Sequence, residues 1–274
     1  MEEDLRTKQK GQILAVKDLP TLPGVLTEVS ALVENPDSST DQISKVIAKD
    51  QVLSAKVLKM VNSPVYGFPG RIGSIQHALV LLGFNVIKGI IISTSVFDVM
   101  NEHMRGLWEH SLGCALASSA VARAIGCKDP EEYAVAGLLH DIGKVVAAVQ
   151  LPESREAIAA LVQERDISYR QAESEVLGFA HDRINLWLCS YWNLPPSLKE
   201  GLSYHHRPLS ATLYPRVPQV VHVGNFLARL FGVGNGGDDQ VSQLDEGVLE
   251  ALAIDQDLLH RIMDGLERDF VDLV

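Results

Sequence analysis

The chain has 274 residues, 46% of them hydrophobic and 6% aromatic, enough to bury the core of one large domain or of two closely packed subdomains. Its formal charge of −11 and pI near 5.2 exclude a sequence-independent grip on nucleic acid, because phosphate neutralisation needs clustered Lys and Arg. Cys114, Cys127 and Cys189 are odd in number, far apart and free of any CxxC pair, which excludes a disulfide framework and a thiolate zinc site and fits a reducing compartment.

Residues 1–11 form a charged tail that lacks the apolar core of a signal peptide. From residue 12 to residue 100 the apolar positions recur at three and four, the period of a helix. Val25, Val29, Leu32 and Val33 form one stripe, and Leu53, Val57, Met60 and Val61 form another. Ser39 with Gln42 has capping-box spacing, Asp50 is suited to cap the helix of Leu53, and Asn62-Ser63-Pro64 breaks that helix. The loop that follows, with Asn62, Ser63, Tyr66, Phe68 and Arg71, mixes an aromatic anchor with polar groups and is a candidate partner surface. Ser74 restarts a helix that Gly83 is placed to stop. The most apolar run, VIKGIIIS from Val86 to Ser93, is too short to span a bilayer, so a cytoplasmic protein without a membrane partner is expected.

The second half, 101–231, carries most of the histidines. His110 lies in LWEHSLGCALASSAVA, a helix that Gly126 ends, and Asp129, Pro130 and Glu132 start the next one. That helix is expected to carry His140 and Asp141, with Lys144 one turn later on nearly the same face. Ser168 with Gln171 and Ser197 with Glu200 have capping-box spacing, and Pro195-Pro196 ends the segment that holds His181, Trp187 and Trp192. The doublet His205-His206 follows, then His222 and Asn225. Residues 232–274 comprise GVGNGGDD, expected to be a flexible loop, and an amphipathic region from Val248 to Phe270 built on Leu252, Leu259, Ile262, Met263 and Leu266. That region either packs on the domain or forms a homodimer helix. The whole is an all-α protein.

His and Asp side chains near the ends of separate helices can converge in a bundle, and the donor set suits one or two divalent ions of the Fe, Mn, Ni or Zn kind. The order of these residues, H, then HD with G-K, then H, then HH, resembles the HD superfamily of metal-dependent phosphohydrolases and its HD-GYP branch of cyclic dinucleotide phosphodiesterases. The resemblance implies metal ligands at His110, His140, Asp141, His181, His205 and His206, and catalytic roles for Asp141 and for Lys144, the latter at a substrate phosphate. Asn225 stands where the superfamily has a closing Asp ligand and is expected to complete the metal set with a neutral carbonyl oxygen that binds more weakly, and HHRPLSATLYP replaces the GYP signature.

The N-terminal half resembles the HDOD variant of this superfamily through Leu19-Pro20, Leu22-Pro23, Lys49-Asp50, Asn62-Ser63, Tyr66-Gly67, the helix from Ile75 and Leu82-Gly83. The likeness covers about residues 12–231. It implies an HD-type helical bundle, 101–231, preceded by an additional helical subdomain, 12–100. It further implies a bacterial signalling module that binds a signalling protein or a nucleotide-like ligand, with a residual metal site and little or no catalysis. The alternative is a metal-dependent phosphohydrolase, and a metal or nucleotide sensor lies between the two.

Overall fold

A computed structural model describes residues 11–13, 24–35, 38–241 and 243–271, and among these there is no strand. Residues 1–10 of the tail, and Leu19, Pro20, Leu22 and Pro23, lie outside the described residues. The N-terminal half consists of α1 (Gly24–Glu34), α2 (Thr40–Ala48), α3 (Gln51–Val61) and α4 (Ile75–His103). Then come α5 (Leu107–Ala124), α6 (Pro130–Leu139), α7 (Ile142–Gln150), α8 (Pro152–Arg165), α9 (Tyr169–Leu177), α10 (His181–Tyr191), α11 (Pro196–Tyr204) and α12 (Arg216–Leu230). Two further helices, α13 (Glu246–Ala251) and α14 (Gln256–Val271), close the chain.

Polar side chains define the helix ends of the first half. Gln42 N donates to Ser39 Oγ at 3.2 Å and Ser39 N donates to Gln42 Oε1 at 2.8 Å, the full capping box. Asp50 accepts from Leu53 N at 2.9 Å, and Ser74 from His77 N at 3.1 Å. Asn62 closes the loop after α3, accepting from Ile72 N at 2.7 Å and donating to Ile72 O at 2.9 Å and Leu58 O at 2.7 Å. Each of these bonds satisfies a backbone group that the helix or loop would otherwise leave without a partner.

Several expectations change. Gly83 does not end its helix; its φ of 72° kinks α4, which continues to His103. The run at Val86 therefore belongs to a long apolar helix, and the stretch Ile75–Phe97 has the length and composition to cross a membrane, with 72% of its most apolar part buried inside the fold. Burial of that kind is what a core helix shows. Tyr66, the expected anchor of a partner loop, is 1% exposed, and its carbonyl accepts from Arg123 of α5 at 3.1 Å. It joins the two halves. The spacing of Ser197 and Glu200 does not produce a capping box: Pro195 is the N-cap of α11, and Glu200 instead accepts from the backbone N–H of Thr212, Leu213 and Tyr214. The C-terminal amphipathic region is two helices, and Ile262, Leu266 and Phe270 of α14 are buried against the domain, with the Phe270 and Phe231 rings 5.4 Å apart. The stripe offered for a homodimer contact is thus used largely within the chain.

One apolar core runs through both halves. Helix α5 is its axis, with α6, α12 and α14 packed against it. The ends of α6, α9 and α11 and the start of α10 meet on one side, and there the histidines gather.

Candidate metal centre

His140 and Asp141 do not sit within a helix, as their spacing from Pro130 suggests; α6 ends at Leu139 and α7 begins at Ile142, so the pair forms the turn between them. That turn brings Lys144 back onto Asp141, with Nζ 2.8 Å from Oδ2. Helix α7 also lies almost against α10. A Cβ on Gly143 would stand 2.5 Å from the carbonyl oxygen of His181, so only glycine permits the approach.

Asn185, one turn after His181, holds the arrangement from inside. Its Oδ1 accepts from Gly143 N at 2.8 Å, and its Nδ2 donates to the carbonyls of His140 at 2.6 Å and Leu202 at 2.9 Å. It thereby joins α7, the HD turn and the end of α11, and so sets the backbones that present His140 and His205.

Three of the imidazoles are oriented by what their outer nitrogens touch, whereas the Nδ1 of His110 is buried without a hydrogen-bond partner. His140 Nδ1 lies 2.7 Å from Gly137 O, and His205 Nδ1 lies 2.9 Å from Leu202 O. A carbonyl only accepts, so in both rings Nδ1 carries an N–H and Nε2 is turned inward. His181 Nδ1 is 2.5 Å from Glu173 Oε2, and the His181 backbone N–H donates to the same oxygen at 3.0 Å. Imidazoles that ligate metals are typically held in this way, by an outer carboxylate or carbonyl.

The inner atoms converge on Asp141. Its Oδ2 lies 3.3 Å from His140 Nε2 and 3.8 Å from His110 Nε2; its Oδ1 lies 3.1 Å from His181 Nε2 and 3.9 Å from His205 Nε2. The ligand atoms of His110, His140 and Asp141 all fall within 4.8 Å of one another, and so do those of Asp141, His181, His205 and His206. His110 and His140 bring their Nε2 atoms to 3.3 Å, and His181 and His206 bring theirs to 2.9 Å. Asp141 Oδ1 and His205 Nε2 are buried without a hydrogen-bond partner. Imidazole nitrogens and a shared carboxylate, inward-facing and partly unpartnered, fit a divalent cation.

Electrostatics point the same way. Burial opposes charge on His140, yet the adjacent Asp141 outweighs it and carries the imidazole up to about 10. Asp141 is also buried, but His140 and Lys144 hold it well below the usual carboxylate range. His110 is pushed far down by burial and by His140, and His205 by burial and by His140 and His181. His181 is raised too, by Glu173 against the effect of burial, so the buried carboxylates draw positive charge into the pocket, while His110, His205 and His206 are held neutral, the form in which histidine ligates metal.

Asn225 lies buried on α12, which packs along the His110 helix, and its Oδ1 has no hydrogen-bond partner; the structure joins it to none of these side chains. Lys144 is fully engaged. Besides Asp141 it donates to Gly236 O at 2.7 Å and stands over the Tyr169 ring at 5.3 Å. The glycine-rich stretch after α12, expected to be flexible, is therefore tied across this flank: Asn235 N donates to Gly106 O, Arg229 pairs with Asp238 at 2.9 Å, and Tyr169 N donates to Asp238. A Cβ on Gly234, at φ 65°, would lie 2.2 Å from His110 N, which shows how closely the stretch is applied.

Three supporting residues escaped the sequence reading. Asn185 carries a signal, four residues after His181 on the same helix face. Glu173 carries none, since a helix break separates it from His181. His222 is visible only as one more histidine; it lies outside both donor groups, donates from Nδ1 to His205 O at 2.9 Å, and accepts from Asp245 N at 3.3 Å.

The HDOD domain family profile matches residues 19–208. The fold is similar to that of an HDOD domain protein of unknown function from Geobacter sulfurreducens, 25% identical, with a TM-score of 0.73 over 98% of this chain and 96% of that one. It is also similar to a candidate phosphohydrolase from Shewanella amazonensis, 24% identical, TM-score 0.68, 96% of each chain. A candidate signal transduction protein from Marinobacter aquaeolei is 20% identical, TM-score 0.71, over 93% of this chain and 58% of that one. An uncharacterized protein from Treponema pallidum is 25% identical over 87% of this chain, which spans about half, 47%, of that relative's length.

Proposed function

The chain belongs to the HDOD family, and from that premise we propose that it is a cytoplasmic signalling module that holds a divalent metal in its HD half and acts by binding, with little or no turnover. The observation that carries this is the position of Asp141, whose two oxygens each face a separate group of imidazoles. His110, His140 and Asp141 would hold one ion, and Asp141, His181, His205 and His206 a second. Asn225, on the helix that packs along the His110 helix, has a buried, unpartnered Oδ1 that could serve as a neutral ligand.

A bound divalent ion would supply positive charge to phosphoryl oxygens. The ligand class we propose is accordingly a phosphorylated, nucleotide-like small molecule, with a signalling protein as the partner that reads its presence. Weak catalysis is supported by two features. Lys144 is committed to Asp141 and Gly236, and Asn225 brings no charge. The second reading, a phosphohydrolase, is favoured by the carboxylate shared between two donor groups, a pattern found in two-metal hydrolases.

Metal-loaded protein assayed on cyclic dinucleotides and on a generic phosphodiester separates the two. We expect ligand binding with no hydrolysis above background. Hydrolysis that disappears in His140→Ala overturns the regulatory reading and supports the enzyme.

A further inference from the structure

The two flanks of the pocket offer a ligand different things. On the Lys144 flank the glycine-rich stretch closes over the ammonium, which is 4% exposed. On the opposite flank stands His206, the member of the two donor groups that is only partly buried. Next to it Arg207 leaves α11 with its side chain 59% exposed, and Arg170 of α9 is 36% exposed. Both guanidinium groups reach one atom, Asp182 Oδ2, at 3.2 and 3.4 Å. Asp182 is buried and follows His181 directly, and Arg207 follows His206, so two members of this trio are one residue from a donor of the second group.

Two positive charges here share one carboxylate, and the trio keeps a net positive charge. Each guanidinium has five N–H donors, and Asp182 engages a single nitrogen of each. Arg170 Nε is buried without any partner. A planar fork with unused donors, set beside a second, exposed fork next to the partly buried His206, is matched by a tetrahedral oxyanion that accepts from both.

We infer that Arg170 and Arg207 form a phosphate-binding subsite at the mouth of the metal pocket and receive a phosphoryl group of the ligand. The inference rests on the proposed function for the nature of the ligand, but the two arginines lie outside both donor groups and bind the anion with or without metal. It moves phosphate recognition from Lys144, where the HD pattern places it, to the opposite flank.

The test is calorimetric titration of inorganic pyrophosphate into the full chain, stripped of metal by chelation and desalted. Wild type is expected to bind. Arg207→Ala should weaken binding about tenfold or more, the loss of one or two charge-assisted hydrogen bonds, and Arg207→Lys should fall between the two. Arg183→Ala removes one charge from an exposed neighbour on α10 and should change nothing. No binding by wild type, equal binding by Arg207→Ala, or equal weakening by Arg183→Ala overturns the inference. Metal content, measured on the same preparation before chelation, reports on the proposed metal centre separately: arginine-dependent binding in a protein that never carries metal keeps the subsite and removes the metal reading.

Discussion

The two halves of the molecule place the same kinds of side chain differently. Up to His103, the polar groups Ser39, Asp50, Asn62 and Ser74 face backbone N–H and C=O groups at helix ends and loop closures, and each finds a backbone partner. In the HD half His110, His140, His181, His205, His206 and Asp141 face one another, with His110 and His140, and His181 and His206, meeting through their Nε2 atoms and with Asp141 Oδ1 and His205 Nε2 left without a hydrogen-bond partner. A polar group that completes the backbone is scaffold. A set of acceptors that converge in a buried place calls for a cation, because an unpaired buried polar atom costs about 1–3 kcal/mol.

The sharpest break in this comparison comes from Asp141→Asn, which keeps the shape of the one side chain common to both donor groups and removes its charge. Metal affinity should fall by more than about 100-fold at both groups, measured by competition with a chelating dye. Glu173→Gln comes next. It weakens the outer hold on His181, and affinity should fall by about 10–100-fold while the fold, read by circular dichroism, persists. Asn225→Asp acts in the opposite direction: an added carboxylate on the helix that packs along the His110 helix should tighten metal binding about tenfold, and an unchanged affinity would place the centre wholly among the histidines and Asp141. The smallest effect on the metal belongs to the scaffold. Asn62→Ala loses three hydrogen bonds around Ile72 and Leu58 and should lower stability by about 1–3 kcal/mol in chemical denaturation, with metal content unchanged.

The all-α class, the N-terminal caps and the histidine set were legible because each depends on spacing within a helix or on residue type alone. Ser39 and Gln42 meet where their separation places them, and so do Asp50 and Leu53. Glu200 misled because its local partner, Ser197, competes with three backbone N–H groups from a loop that folds back later. The HD turn was hidden because helical period continues through it; the break exists to aim Asp141, a tertiary requirement. Glu173 and Gly236 were invisible for a related reason, since each meets its partner only after distant helices pack. The glycine-rich stretch looked flexible by composition, yet its glycines are what allow it to lie against His110.

The central claim is that the HD half is a metal centre organised on Asp141. Elemental analysis of protein purified without added metal, repeated after loading with Mn, Fe, Ni or Zn and removal of free ion, tests it most directly. The account predicts about one ion or more per chain in the wild type and about none in Asp141→Asn. A wild-type chain that emerges without metal after every loading would contradict it.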